Sequence, residues 1–119
     1  MTDYIIVLVT CESPAEAERI AESVVAEKLA ACVNVLPGIR SCFVWEGSQN
    51  WSSEVLLFIK TTRARFDALK ERVIALHSYT TPEIVATPIV AGLESYLGWI
   101  RESVGDGADP RSGGETPAS

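Results

Sequence analysis

Few residues in this chain are suited to chemistry. There is one histidine, His77, and there are three cysteines, Cys11, Cys32 and Cys42. His77 opens the stretch "HSYTTPEIVATP", with Tyr79 beside it and Glu83 following Pro82. An imidazole suits copper and zinc, and thiolates and carboxylates complete such shells. Metal ligation is one reading of His77. The other is structural: the residue ends a helix, where a cationic ring suits the C-terminal dipole. A Cys/His pair such as Cys32 with His77 is the nucleophile–base combination to weigh, but no hydrolase signature surrounds either residue. The chain also lacks the G-x-S-x-G elbow, the H-E-x-x-H zinc motif, the dinucleotide fingerprint and a Gly-rich phosphate loop. It reads as a non-enzyme without an obligatory cofactor.

The cysteines are odd in number and contain no C-x-x-C pair. That disfavours a disulfide framework and a structural zinc site, and it points to reduced thiols in the cytoplasm. Cys32 and Cys42 read as core or interface residues. Ten Lys plus Arg against sixteen Asp plus Glu give a formal charge of −6. A nucleic-acid partner needs a basic face, and so does electrostatic docking on an anionic membrane. Neither is expected.

Elements must position these groups. "YIIVLVT" (4–10) reads as a central strand buried on both faces. "SPAE" (13–16) starts a helix: Ser13 caps it, Pro14 suits the first turn, and Glu16 sits where a capping box wants it. Ala17, Ile20, Ala21, Val24, Val25 and Leu29 then recur at helical spacing, which predicts a helix over 14–30. "ACVNVLPGIRSCFVWEG" (31–47) reads as a long strand with a bulge or bend at Pro37-Gly38. A turn at 47–50 and a returning strand at 51–62 make a hairpin. A second helix is expected at 63–77, a strand at 82–90 with Pro88 marking an edge or bulge, and a last helix at 93–103. The order is that of a ferredoxin-like split βαβ fold, an α+β architecture with an antiparallel sheet. Residues 1–104 form the domain. Residues 105–119, rich in Gly and Pro with no large apolar side chain, are expected to be a disordered tail.

Lengths add a constraint. The strand from Trp51 to Thr61 spans about 36 Å, at roughly 3.3 Å per residue. The helix 63–77 spans only about 22 Å. The hairpin therefore overhangs its helices, and it carries Phe43, Trp45 and Trp51. So much exposed apolar surface on open strand edges calls for neighbouring subunits.

"EKLAACVNVLPGIRSCFVWEG", "EVLLFIKTT" and "HSYTTPEIVATPIVAG" followed by "YLGWI" resemble, in order and spacing, the CutA divalent-cation-tolerance proteins. The resemblance runs from about Tyr4 to Ile100. It implies a ferredoxin-like fold, a homotrimer in which hairpin strands pair between subunits, and kinship of architecture with trimeric PII signalling proteins, by analogy with which Lys60 and Arg63 are candidates for holding an anion between subunits. It also implies a role in tolerance of copper and other divalent metals. In copper-binding relatives the histidine of the motif is a proposed ligand and maps onto His77; the carboxylate proposed with it maps onto Glu83. The usual pattern reads His-Pro-Tyr, and here Ser78 replaces the proline. A third proposed ligand is a cysteine whose position is occupied by Val9. Cys11, two residues on along the same strand face, is the candidate substitute.

The expectation is thus a cytoplasmic homotrimer that binds a divalent metal, copper(II) foremost, through His77, Glu83 and Cys11. Trp45, Trp51 and Tyr79 would lie at a subunit interface or cleft. The alternative is a PII-like regulatory trimer that holds a small metabolite or a protein partner between subunits, with metal effects indirect.

Overall fold

The computed structural model describes residues 3–105. Its elements follow the order β1 (Tyr4–Cys11), α1 (Pro14–Ala26), β2 (Cys32–Trp45), β3 (Ser48–Thr62), a 3₁₀ turn (Arg63–Arg65), α2 (Phe66–Leu76), β4 (Ile84–Pro88) and α3 (Glu94–Ser103). The strands make one four-stranded sheet in the order β2-β3-β1-β4. Every pairing is antiparallel. This is the expected α+β split βαβ arrangement, with β1 central and β4 at an edge. The expected tail lies outside the described residues beyond Gly105.

Register sorts the side chains into two faces. Ile5, Val7, Val9 and Cys11 of β1 stand opposite Thr61, Ile59, Leu57 and Val55 of β3. This face is buried against Ala17, Ile20 and Val24 of α1 and Leu69 and Val73 of α2. Each such Val, Leu or Ile contributes about 1.5–3 kcal/mol by leaving water, so this layer fixes the strands and both helices. The opposite face carries Leu8 beside Phe58 and Val85, and Leu56 beside Leu36. There α3 covers one end only, where Ile100 and Val104 pack with Ala31, Tyr4, Leu97 and Trp99. Leu36 and Val85 remain about half exposed.

The hairpin departs from expectation at its tip. Trp45 pairs with Ser48, so the turn is Glu46-Gly47 rather than 47–50, and Ser48, Gln49 and Asn50 belong to β3. Both turn residues have positive φ, 51° and 80°, as a two-residue primed turn requires to match the strand twist. The bulge at Pro37-Gly38 is present: the register shifts between Leu36 and Ile39, and Gly38 has a φ of 80°. The arm is therefore longer than expected, and the molecule measures 55 × 25 × 23 Å. Trp45 and Trp51 on it are 64% and 61% exposed.

Helix α1 stops at Ala26, short of the expected residue 30, although "AEKLAA" contains no breaker. Lys28 turns left-handed, with a φ of 62°. The chain is then drawn onto the sheet, where Ala31 N–H reaches Lys60 O and the Thr61 hydroxyl donates to Leu29 O. Tertiary bonds override propensity here. The second helix is likewise split, with a 3₁₀ turn before α2, and β4 is shorter than 82–90. Among the described residues, no helix is long and apolar enough to cross a membrane.

Candidate metal centre at the end of the first strand

The site begins where the sheet loses a strand. β4 pairs with β1 only from Ile5 to Val9, while β1 continues through Cys11. Past Val9 this edge of β1 has no strand neighbour. His77 comes in there: α2 ends at Leu76, and His77 is extended at φ −82° and ψ 143°. Its Nε2 lies 2.7 Å from Thr10 O. A carbonyl can only accept, so Nε2 carries the hydrogen. Nδ1 then accepts from Tyr79 N–H at 3.0 Å. The two bonds require the same tautomer, and the Tyr79 ring tilts against the imidazole at 4.8 Å between centroids.

Glu16 arrives from the first turn of α1. Ser13 Oγ caps this turn by accepting Glu16 N–H at 3.2 Å. The Glu16 carboxylate folds back, taking Glu12 N–H on Oε1 at 3.1 Å and Ser78 N–H on Oε2 at 2.7 Å. It is 5% exposed. Burial pushes its pKa up, but hydrogen bonds from Ser78 and from Glu12 N–H outweigh that and hold the carboxyl below its ordinary value.

Cys11, fully buried on the helix-facing side of β1, completes the group. Burial, and then the charges of Glu16 and Glu54, push its thiol up to about 12. Tyr79 closes the site from outside, donating its hydroxyl to Glu54 Oε2 at 2.7 Å. Burial, and then this bond to Glu54, hold the phenol well above its ordinary value.

One sulfur, one carboxylate oxygen and one imidazole nitrogen from Cys11, Glu16 and His77 thus lie within 4.8 Å of one another. This donor set suits copper(II) or zinc(II), whereas magnesium and calcium call for oxygen ligands throughout. Of the expected ligands, His77 and Cys11 meet because β1 runs far enough. Glu83 does not join them: it is exposed at the entry to β4, and Glu16 stands beside the histidine instead. Tyr79 borders the group. Trp45 and Trp51 sit on the arm beyond Val55, the last β3 partner of β1, and lie outside the cluster.

The carboxylates of Glu16 and Glu54 were not legible as site residues. The capping position explains Glu16 without a site, and Glu54 leads into the apolar run of β3. The hint available was an acidic residue in each of two buried elements.

Cys32 and His77 stand too far apart to act as a nucleophile and its base. Cys32 pairs with Lys60, which pairs with Ile6. Thr10, the partner of His77, lies four residues further along β1, roughly 13 Å away. The thiol that does approach His77, Cys11, is buried and held protonated, which makes it a poor nucleophile.

The family profile for the CutA1 divalent ion tolerance protein matches residues 5–103. The chain is 51% identical over 100 residues to the divalent-cation tolerance protein CutA of Thermus thermophilus, covering 84% of this chain and 97% of that one. It is 46% identical over 99 residues to the chloroplastic protein CutA 1 of Oryza sativa, covering 83% of this chain but 56% of the plant protein. The solved structure described as the periplasmic divalent cation tolerance protein CutA of Archaeoglobus fulgidus aligns with a TM-score of 0.83 at 44% identity. That alignment covers 85% of this chain and 98% of the archaeal one.

Proposed function

The chain belongs to the CutA1 divalent ion tolerance family, and from that premise we propose that it binds a divalent cation through Cys11, Glu16 and His77. The observation that carries this reading is the approach of the three donor atoms to within 4.8 Å. Copper(II) is the favoured ion by the usual affinity order, and the mixed sulfur, nitrogen and oxygen set agrees with it. Binding requires the Cys11 thiol to give up its proton, so uptake releases protons and strengthens as pH rises.

We read the active form as a homotrimer in the cytoplasm that serves in the response to metal ions and is not an enzyme. Two uncovered apolar surfaces support assembly: the arm bearing Trp45 and Trp51, and the open sheet face bearing Leu36 and Val85. Three cysteines without disulfides agree with a reducing compartment. Titration of copper(II) into wild type, His77→Ala, Glu16→Ala and Glu83→Ala tests the site. Large losses are expected for the first two substitutions and little change for Glu83→Ala. Equal affinity in wild type and His77→Ala would remove the histidine from the account.

One observation favours a second reading, the metabolite-binding trimer. A cavity of about 330 Å³ lies between α2 and β4, lined by Ile5, Arg63, Phe66, Asp67, Thr87 and Pro88 among others. Arg63 is its cationic group, while Lys60 is engaged with Asn34 instead. A small organic anion that raises the melting temperature of wild type but not of Arg63→Ala would favour this alternative.

A further inference from the structure

Two donor atoms of the cluster, Glu16 Oε2 and His77 Nδ1, are occupied by the amides of one dipeptide. Ser78 N–H is bonded to Glu16 Oε2 at 2.7 Å. Tyr79 N–H is bonded to His77 Nδ1 at 3.0 Å. The same two residues place their hydroxyls on neighbouring carboxylates, Ser78 on Glu12 at 3.1 Å and Tyr79 on Glu54 at 2.7 Å. Three of these bonds tie the loop between α2 and β4 to the helix start and the sheet, and the fourth closes it onto His77.

His77 has one lone pair to offer, because Nε2 carries the hydrogen given to Thr10 O. A cation has two ways to the ring. It can take Nε2 by shifting the tautomer, which leaves the part-buried Thr10 carbonyl without its partner and costs that group's desolvation. Or it can take Nδ1, which displaces only the Tyr79 amide, and that amide lies between exposed Ser78 and Thr80, where it can turn toward water. The second route is the less costly. Glu16 meets the same competition at Oε2 from the adjacent amide.

We propose that Ser78 and Tyr79 form a latch over the cation site: binding through His77 Nδ1 and Glu16 Oε2 displaces their backbone amides and releases the loop between α2 and β4. The released segment is how occupancy becomes visible at the surface, and it sets the threshold for uptake, because the amides compete with the cation. This rests on the reading of Cys11, Glu16 and His77 as the cation site.

Zinc(II), which does no redox chemistry with a thiol, is the probe. Amide hydrogen exchange of the full chain is followed with and without saturating zinc, and calorimetry gives affinities for wild type and Ser78→Pro. Proline removes the Ser78 donor, and His77 already has the extended backbone that a residue before proline prefers. Exchange across 77–83 should rise several-fold on zinc binding while α1 stays protected. Ser78→Pro should bind zinc about tenfold more tightly, the value of one competing hydrogen bond. Zinc binding with unchanged loop exchange and equal affinity in the variant would overturn the latch and leave the cation site standing. No binding to either protein would remove the site, and the latch with it. Should Ser78→Pro not fold, the wild-type exchange decides alone.

Discussion

His77 Nε2 lies 2.7 Å from Thr10 O and so joins the end of α2 to the stretch of β1 that β4 leaves unpaired. The chain's one histidine does structural work before any ligand arrives. The Thr10 carbonyl is part-buried, and without a partner it would carry its desolvation cost. His77→Ala in metal-free protein should therefore lose about 1–3 kcal/mol in urea unfolding. A surface residue ending a helix would cost less than about 0.5 kcal/mol. A loss that small would mean that Thr10 is satisfied another way.

Glu16 gives stability a defined pH dependence. Its folded pKa lies below the ordinary 4.5 because Ser78 and Glu12 hydrogen-bond the charged form more strongly than burial disfavours it. A depressed folded value means that the contribution is fully present above the unfolded pKa. It fades as pH falls from there through the folded pKa. Glu16→Gln turns one acceptor into a donor facing an N–H, and should cost about 1–3 kcal/mol at neutral pH. The gap between wild type and variant should narrow as pH falls through the unfolded value near 4.5 and on below it. Urea midpoints at fixed protein concentration follow this; a constant gap would refute the assignment.

These two residues also mark how far the sequence could be read. Helix α1 follows from Ser13, Pro14 and Glu16, and the core strands follow from runs of β-branched residues, because local propensity and burial agree there. Cys11 and His77 stand out by side-chain type, and the family resemblance ranks them as ligands. The partnership of Glu16 with His77 was not legible, since it depends on bringing the start of α1 and the end of α2 together at one end of the sheet. Glu83 is the carboxylate that the family pattern implies, and the fold leaves it exposed at the entry to β4. The hairpin tip differs from expectation for a local reason. Glu46 is an unusual occupant of positive φ, whereas the polar run after Gly47 looks like a turn and is an exposed strand.

Cys11 should resist alkylation. Its thiol is fully buried and pushed up to about 12 by burial and the charges of Glu16 and Glu54, so almost no thiolate exists at neutral pH. Iodoacetamide followed by peptide mass mapping should leave Cys11 unmodified in native protein and modify it once denaturant is added. Native modification at a rate close to that of the denatured chain would mean that the strand end opens readily, which would weaken the case for a preformed donor cluster.

The Glu46-Gly47 turn sets the register of the arm and is open to adjustment. A Cβ on Gly47 would meet nothing within 4 Å, but its φ of 80° is left-handed. Gly47→Ala should therefore cost about 1 kcal/mol, all of it conformational. Glu46 already occupies φ 51°, and Glu46→Asn supplies the residue that primed turns favour. A gain of roughly 0.5 kcal/mol is expected from it. Opposite signs for the two substitutions in thermal unfolding would support this turn; matching signs would mean that the tip adopts another geometry in solution.

Assembly is the most exposed of these expectations, because one chain leaves so much of the arm uncovered. Trp51 packs its ring near Arg40, with the guanidinium carbon 5.4 Å from the ring centroid, yet it is still 61% exposed. Val44 continues this face along the partner strand, while Phe43 and Trp45 stand exposed on the opposite face of the arm. A contact between copies would bury these aromatics, and fully burying one large apolar side chain is worth about 1.5–3 kcal/mol. A carboxylate placed there would have to be desolvated instead. In the proposed trimer, Trp51→Glu should therefore shift the population toward monomers or aggregates in sedimentation at micromolar concentration. A charge on the far side of α1, such as Glu22→Lys, should leave the trimer intact. If Trp51→Glu sediments as a trimer of undiminished thermal stability, the arm is not the interface, and the open sheet face with Leu36 and Val85 would have to hold the subunits together.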